Sequence, residues 1–449
     1  MTQSEYIEQF ARWFDAHHIE QLARQTRWQV RRGKIVAFEF LVGLVFGQLS
    51  ALRLSLNAQA SSYSEPVTRQ AVEERYHERT VQFFRAAFTH CLQQSLAQSS
   101  RPSWTPALAK HFNAVHVVDS TSFDCPESLA HIYPGSGGGA SKANCKMLLR
   151  YEYLQGRFEP LDVLPGRRSD QGLAVELPAL MEANEMMLID RGFLKLEVLR
   201  QIDHKKAYFL LPLARSVGLR LAQPDGSLSQ LNLADVLRHS NQPFVEWPLV
   251  YLGGQALGVR MVAFALTEES AARHRAALRE AQRKQGRVPT AEALELAGWL
   301  ILITNAAAEK LPTQAMGYLY RVRWQIELVF KQCKSVLRLD VTQAIDNIYR
   351  IQCEIWARLI AAVVLFAWHS YLQGVSWAQR RELSFAQLAC QLRQHGMTLA
   401  QCLIEGGQRL RDYLWKLLRQ LLHSTVKGRQ RTRKTTWQNL EQHWLHLDP

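Results

Sequence analysis

Residues 320–334, YRVRWQIELVFKQCK, hold one carboxylate among several cations and a phenol. At a helical advance of about 100° per residue, Tyr320, Arg323, Glu327, Lys331 and Lys334 fall within roughly 40° of one line. Val322, Ile326, Val329, Cys333 and Val336 gather on the opposite side. A helix patterned this way turns an apolar back to a core and shows a charged front. A solvated surface helix would look the same, with Glu327 paired to Arg323 and Lys331 at i±4 for a few tenths of a kcal/mol per pair. Two more acids argue for chemistry instead. The apolar runs AVHVVD and MMLID end on Asp119 and Asp190, and a buried strand seldom ends in acid without a reason, because an unpaired buried carboxylate is costly.

Two strand-end aspartates and a helical glutamate make a three-carboxylate site for two divalent cations, Mg²⁺ (or Mn²⁺), which want hard oxygen ligands and keep open positions for water and phosphate. Held roughly 4 Å apart, such ions stabilise both the attacking and the leaving oxygen of a phosphodiester displacement. The cations beside Glu327 would then hold a DNA phosphate rather than neutralise the acid.

The spacing Tyr320-x2-Arg323-x3-Glu327-x6-Lys334 resembles the Y-R-E-K signature of DDE transposases of the insertion sequence 4 group. Asp190 opens DRGF and Asp119 opens DSTSF, similar to that group's D-[ST]-T context. Asp124 is the fallback for Asp119. The resemblance implies metal-dependent cleavage and strand transfer by Asp119, Asp190 and Glu327, with Tyr320, Arg323, Lys331 and Lys334 gripping phosphates beside the cut. It further implies cut-and-paste excision through a hairpin, on double-stranded DNA (transposon ends and target), inside a synaptic homodimer that cuts in trans. Trp299, which opens the apolar run WLILITN, is either a core or strand-edge aromatic or a stacking platform for a base turned out of the duplex, worth roughly 1 to 3 kcal/mol. In hairpin-forming members a tryptophan stands in the corresponding place. Two rivals stay open: a ribonuclease H-like nuclease or resolvase, and a non-catalytic DNA-binding relic.

The elements that must position these residues read as mixed α/β. Strands over 115–121, 146–154, 158–165, 185–190 and 207–211, with helices over 171–184 and 194–202, give the β-β-β-α-β-α-β order of a ribonuclease H-like core. In that core the first and fourth strands lie side by side, so Asp119 and Asp190 can meet. The expected division is a helical DNA-binding region over 1–100, the catalytic core over 108–211 and 299–340, an inserted β-rich subdomain with a basic helix over 212–298, and a helical region with a basic tail over 341–449. In the first region, helices over 5–16, 19–32, 36–49 and 68–94 suit a helix-turn-helix reader, with Thr68 as N-cap and Arg69 and Gln70 as base-contact candidates. An ordinary exposed polar face is the alternative. Helices are also expected over 342–372, 384–393 and 399–422. The tail KGRQRTRK over 427–434 is a phosphate-contacting arm or a frayed terminus.

Composition sets the outer bounds. A chain of 449 residues is long enough for a large core and more than one domain. A formal charge of +14 calls for an anionic partner, nucleic acid or a membrane surface. Seven cysteines, scattered and with no C-x-x-C pair, argue against a disulfide framework or zinc cluster and suit a reducing compartment. The start MTQSEYIEQFARW has no signal-peptide core. The apolar segment 351–372 is interrupted by Glu354, Arg358 and His369, which leaves an uninterrupted run over 359–368, far short of the roughly 20 residues a bilayer needs. It reads as a buried helix, and no membrane partner is expected. The Gly-rich stretch PGSGGGASK over 134–142 lacks the G-x4-G-K-[ST] order of a phosphate cradle and reads as a loop before the site. With the family resemblance, the expectation is a cytoplasmic, nucleoid-associated bacterial protein.

Overall fold

The computed structural model describes residues 2–31, 33–50, 54–97, 106–137, 141–154, 157–214, 217–253, 257–323, 347–377 and 381–426. Among them are ten strands: β1 (Val115–Asp124), β2 (Asn144–Glu152), β3 (Arg157–Pro165), β4 (Met186–Ile189), β5 (Tyr208–Pro212), β6 (Leu219–Ala222), β7 (Leu228–Gln230), β8 (Phe244–Leu252), β9 (Leu257–Ala265) and β10 (Trp299–Thr304). The chain divides into two compact units. One is built from the described parts of Met1–Trp104, Ser120–Arg168 and Glu327–Arg433, the other from those of Thr105–Asp119 and Ser169–Ile326.

The second unit is organised by a sheet that runs β1-β4-β5-β10-β9-β8-β6-β7. Its β1, β4 and β5 are parallel neighbours, while β10 runs antiparallel to both β5 and β9. The parallel strands are short apolar runs, and Met186, Met187, Leu188 and Ile189 of β4 are all fully buried, as expected where both faces of a sheet are covered. The helix Leu196–His204 links β4 to β5 and buries Val198, Leu199 and Ile202, the i, i+1, i+4 stripe of an amphipathic helix. The first and fourth strands do lie side by side.

The first unit is largely helical and also holds the end of β1 with β2 and β3. Its long helix Ile348–Trp377 carries an apolar window that is wholly buried, in keeping with the buried-helix expectation. Trp368 meets Phe10 edge-on at 5.2 Å, and Tyr371 stacks on Tyr6 at 3.9 Å. The helix tolerates buried Glu354 because Arg350 and Arg358, one turn either side, lie 3.2 and 3.8 Å away, and a buried charge survives when paired.

Four expected elements differ, each for a local reason. β1 continues past residue 121 to Asp124. The helix expected over 171–184 is a short helix Asp170–Ala174 followed by a 3-10 turn Leu177–Leu180, with Pro178 at the start of the turn and unable to donate to a helical ladder. Thr68 does cap a helix, accepting from the Ala71 N–H at 3.1 Å. That helix is only Arg69–Glu73, however, and a new one begins at Glu78. Between them Tyr76 turns inward, donating its hydroxyl to Gln59 at 2.6 Å. Near the C-terminus the break falls at Gly406, whose φ of +65° suits a helix stop, and Phe385–Glu405 runs through Gly396 unbroken. Gly396 serves close packing instead, since a Cβ there would collide with Ser50 Oγ and lie 2.7 Å from the Phe46 carbonyl.

Candidate active site

The parallel register of β1 and β4 pairs Val115 with Met186 and runs in step to Val118 with Ile189. One residue further along lie Asp119 and Asp190. Pairing partners in a parallel ladder share a face and sit roughly 4.8 Å apart, so the register itself delivers two carboxylates as neighbours. Asp119 does not end its strand, as the apolar run suggested; it stands where pairing with β4 ends and β1 goes on. Both aspartates are half-buried. The fallback, Asp124, is the exposed last residue of β1, where Asn144 donates to its carboxylate at 2.9 Å.

Two carboxylates side by side repel, and a cation answers the nearer of them. Residues 313–323 form a helix whose Ala315, Met316, Leu319 and Val322 are fully buried, an i, i+3, i+4 pattern that fixes its rotation. That rotation turns Tyr320 and Arg323 to the other side. Arg323 lies 3.3 Å from Asp119 with both side chains about 15% exposed. It also donates to the Tyr320 hydroxyl at 3.1 Å, and its guanidinium stands 5.6 Å from the Tyr320 ring centroid. Burial pushes the Tyr320 phenol up to about 12; the Asp190 carboxylate adds to the rise, while Arg323 and Arg191 pull the other way. Asp119, Asp190, Tyr320 and Arg323 therefore form one electrostatic cluster.

The sequence reading set Arg323 beside Glu327 as a phosphate holder; among the described residues it pairs with Asp119. Glu327, Lys331 and Lys334 lie outside the described residues. Among the described residues, no group of three His, Cys, Asp or Glu side chains is arranged to hold a metal ion, so this part of the site consists of two aspartates.

Trp299 opens β10, half-buried, opposite Ala265 of β9. Because β10 runs antiparallel to β5, its first residue falls at the end of the sheet where β4 finishes in Asp190. Counting two strand spacings across and three residues along puts Trp299 on the order of 14 Å from Asp190. At that distance it does not touch either aspartate.

Arg191 escaped the sequence reading although DRGF contains it. Its signal was adjacency to Asp190, and its effect on Tyr320 places a further cation at the cluster.

A family profile described as "Transposase DDE domain" matches residues 110–364. The transposase for insertion sequence element IS231F of Bacillus thuringiensis subsp. israelensis is 26% identical over 455 residues, covering 96% of this chain and 94% of that protein. The transposase for insertion sequence element IS1151 of Clostridium perfringens is 24% identical over 452 residues, covering 95% and 94%. A solved piggyBac transposase synaptic complex with hairpin DNA aligns over 96% of this chain and 85% of its own at 12% identity, with a TM-score of 0.45.

Proposed function

The chain belongs to the DDE transposase family, and from that membership we propose that Asp119, Asp190 and Glu327 are the acidic triad with which it cleaves DNA and transfers strands. The observation that carries this reading is the β1/β4 register, which makes Asp119 and Asp190 neighbours although 70 residues separate them in the chain.

The donor set fits divalent cations, Mg²⁺ (or Mn²⁺): hard carboxylate oxygens are held side by side on paired strands, with compensating positive charge already at hand. When bound, two such ions supply Lewis-acid stabilisation of the attacking and leaving oxygens. Asp119, Asp190 and Glu327 would hold them. Arg323, beside Asp119, would bind phosphate bidentately. Tyr320, protonated at any working pH, donates a neutral hydrogen bond to a phosphate oxygen. Arg191, Lys331 and Lys334 add positive charge along the backbone of the DNA.

At the level of domains, the proposal keeps a ribonuclease H-like core over 108–211 and 299–340, with the insertion over 212–298. The N-terminal helices over 1–100 contact transposon ends and the region over 341–449 adds phosphate contacts. Double-stranded DNA, as ends and as target, is the partner, bound by a homodimer in a cytoplasmic, nucleoid-associated complex. Trp299 stacks on a base displaced during hairpin formation.

The test is incubation of the purified protein with DNA bearing the element's own ends and a target plasmid, with and without Mg²⁺. Mg²⁺-dependent products in which end DNA is joined to target support the proposal. Cleaved ends that are never joined would mark a simple nuclease.

A further inference from the structure

Away from the carboxylates, one buried cation has a full set of partners. Arg260 on β9 is 6% exposed and donates through three nitrogens: Nε to Glu246 Oε1 at 2.6 Å, one terminal nitrogen to the Leu311 carbonyl at 2.6 Å, and the other to Thr313 Oγ1 at 2.7 Å. Thr313 in turn donates to Glu246 Oε2 at 2.7 Å. The ring therefore closes on itself, with Arg260 and Glu246 from the inserted strands and Leu311 and Thr313 from the start of the helix that carries Tyr320 and Arg323.

The backbone is shaped for this. Between β8 and β9 the register shifts from Trp247 opposite Met261 to Val250 opposite Val259. Two residues, Pro248 and Leu249, thus stand opposite the single Arg260, the arrangement of a β-bulge, which re-aims a side chain. On its other edge Arg260 pairs with Thr304 of β10. The Leu311 carbonyl precedes the first turn of the helix, where the Ala315 and Met316 N–H groups turn to Pro312 instead, so without Arg260 it would be a buried acceptor lacking a partner. A buried guanidinium is expensive unless every arm is met; here each arm meets a group whose position matters to the helix.

We propose that Arg260, Glu246 and Thr313 are positioning residues. By this proposal the strands β8 and β9 clamp the start of the helix 313–323 and so set where Arg323 stands against Asp119 and Tyr320 against Arg323. Thr313 lies ten residues before Arg323, about 15 Å along the axis, and a straight helix transmits a shift at one end to the other. Misplacement near 1 Å at a reacting centre is enough to cost about 10²-fold in rate. This inference rests on the transposase reading of the site, but it assigns the insertion a mechanical task that the carboxylates do not require.

The test compares Thr313→Val and Arg260→Lys, each of which breaks the ring, with Thr313→Ser, which keeps the hydroxyl. Three readouts are needed: the cleavage rate at saturating end DNA with its Mg²⁺ dependence, end-DNA affinity, and amide hydrogen exchange of residues 313–323. The expected result for Thr313→Val and Arg260→Lys is a rate lowered about 10- to 100-fold, a higher Mg²⁺ requirement, DNA affinity within about threefold of wild type and faster exchange over 313–323, with Thr313→Ser close to wild type. Wild-type exchange over 313–323 in both ring-breaking variants would overturn the clamp whether or not the protein is active. So would a slower rate that Thr313→Ser shares, or one matched by weaker DNA binding and by faster exchange across the whole unit. Failure of the wild type itself to cleave with Mg²⁺ would instead count against the transposase reading, and exchange would still decide the clamp.

Discussion

A guanidinium lies 3.3 Å from Asp119, and the proposed role of Arg323 is to grip a phosphate beside the cut. Arg323→Lys keeps the charge but loses the planar fork, so it should retain end binding while slowing cleavage by about 10²-fold. Single-turnover cleavage alongside a mobility-shift titration checks this. Tyr320 gives a prediction of the opposite kind. Its folded pKa of about 12 stands above the ordinary 10, so its contribution to stability is whole below about pH 10 and is lost as pH rises through about 12. Between about pH 6 and pH 9 the phenol stays neutral, and the pH profile of cleavage should keep the same shape in Tyr320→Phe while the rate falls throughout. At this scale the sequence was legible where polar residues interrupt apolar ones: Asp119 and Asp190 stood out at the ends of hydrophobic runs. A helical wheel could place Tyr320 and Arg323 on one face. It could not say that this face meets Asp119, because that depends on packing between elements far apart in the chain.

Among the elements, β10 tests whether the site works on more than the phosphate. Trp299→Ala should leave first-strand nicking within about threefold of wild type and reduce hairpin products more strongly, since stacking on a displaced base is worth about 1 to 3 kcal/mol; denaturing gels of end cleavage separate the two products. The helix 313–323 makes a stability prediction. Leu319 is fully buried, so Leu319→Ala should cost about 2 to 5 kcal/mol, read by thermal or denaturant unfolding. Strands were easy to read because period and composition agree over short stretches, as in MMLI, FVEWPLVYL and LGVRMVAFA. Helix boundaries were harder wherever tertiary contacts decide them. The break expected between 393 and 399 is absent, with Gly396 there a point of close packing, and the apparently continuous 68–94 pattern is interrupted where Tyr76 reaches inward to Gln59. No motif in the sequence singles out Arg260; the role proposed for it depends on a bulge that no spacing rule reveals.

For the whole molecule, a charge of +14 predicts binding that weakens steeply with salt. Replacing the five cations of 427–434 with glutamine should lower the slope of log affinity against log salt by about 0.9 for each phosphate no longer neutralised, up to about 4.5, with little change in sequence preference. An unchanged slope would assign the tail no part in binding. The mixed α/β class was legible from the order of strands and helices, but the division into compact units was not: the segment Ser120–Arg168 clusters with the helical unit although its strands read as part of the core, because grouping follows packing rather than chain order. The account as a whole depends on Asp119 and Asp190 acting together as ligands, and the direct measurement is Mg²⁺-dependent cleavage of end DNA by Asp119→Asn and Asp190→Asn beside wild type, with affinity for the same DNA measured in parallel. Each variant should bind the ends as wild type does and fail to cut them; cleavage at the wild-type rate by either variant would contradict the account.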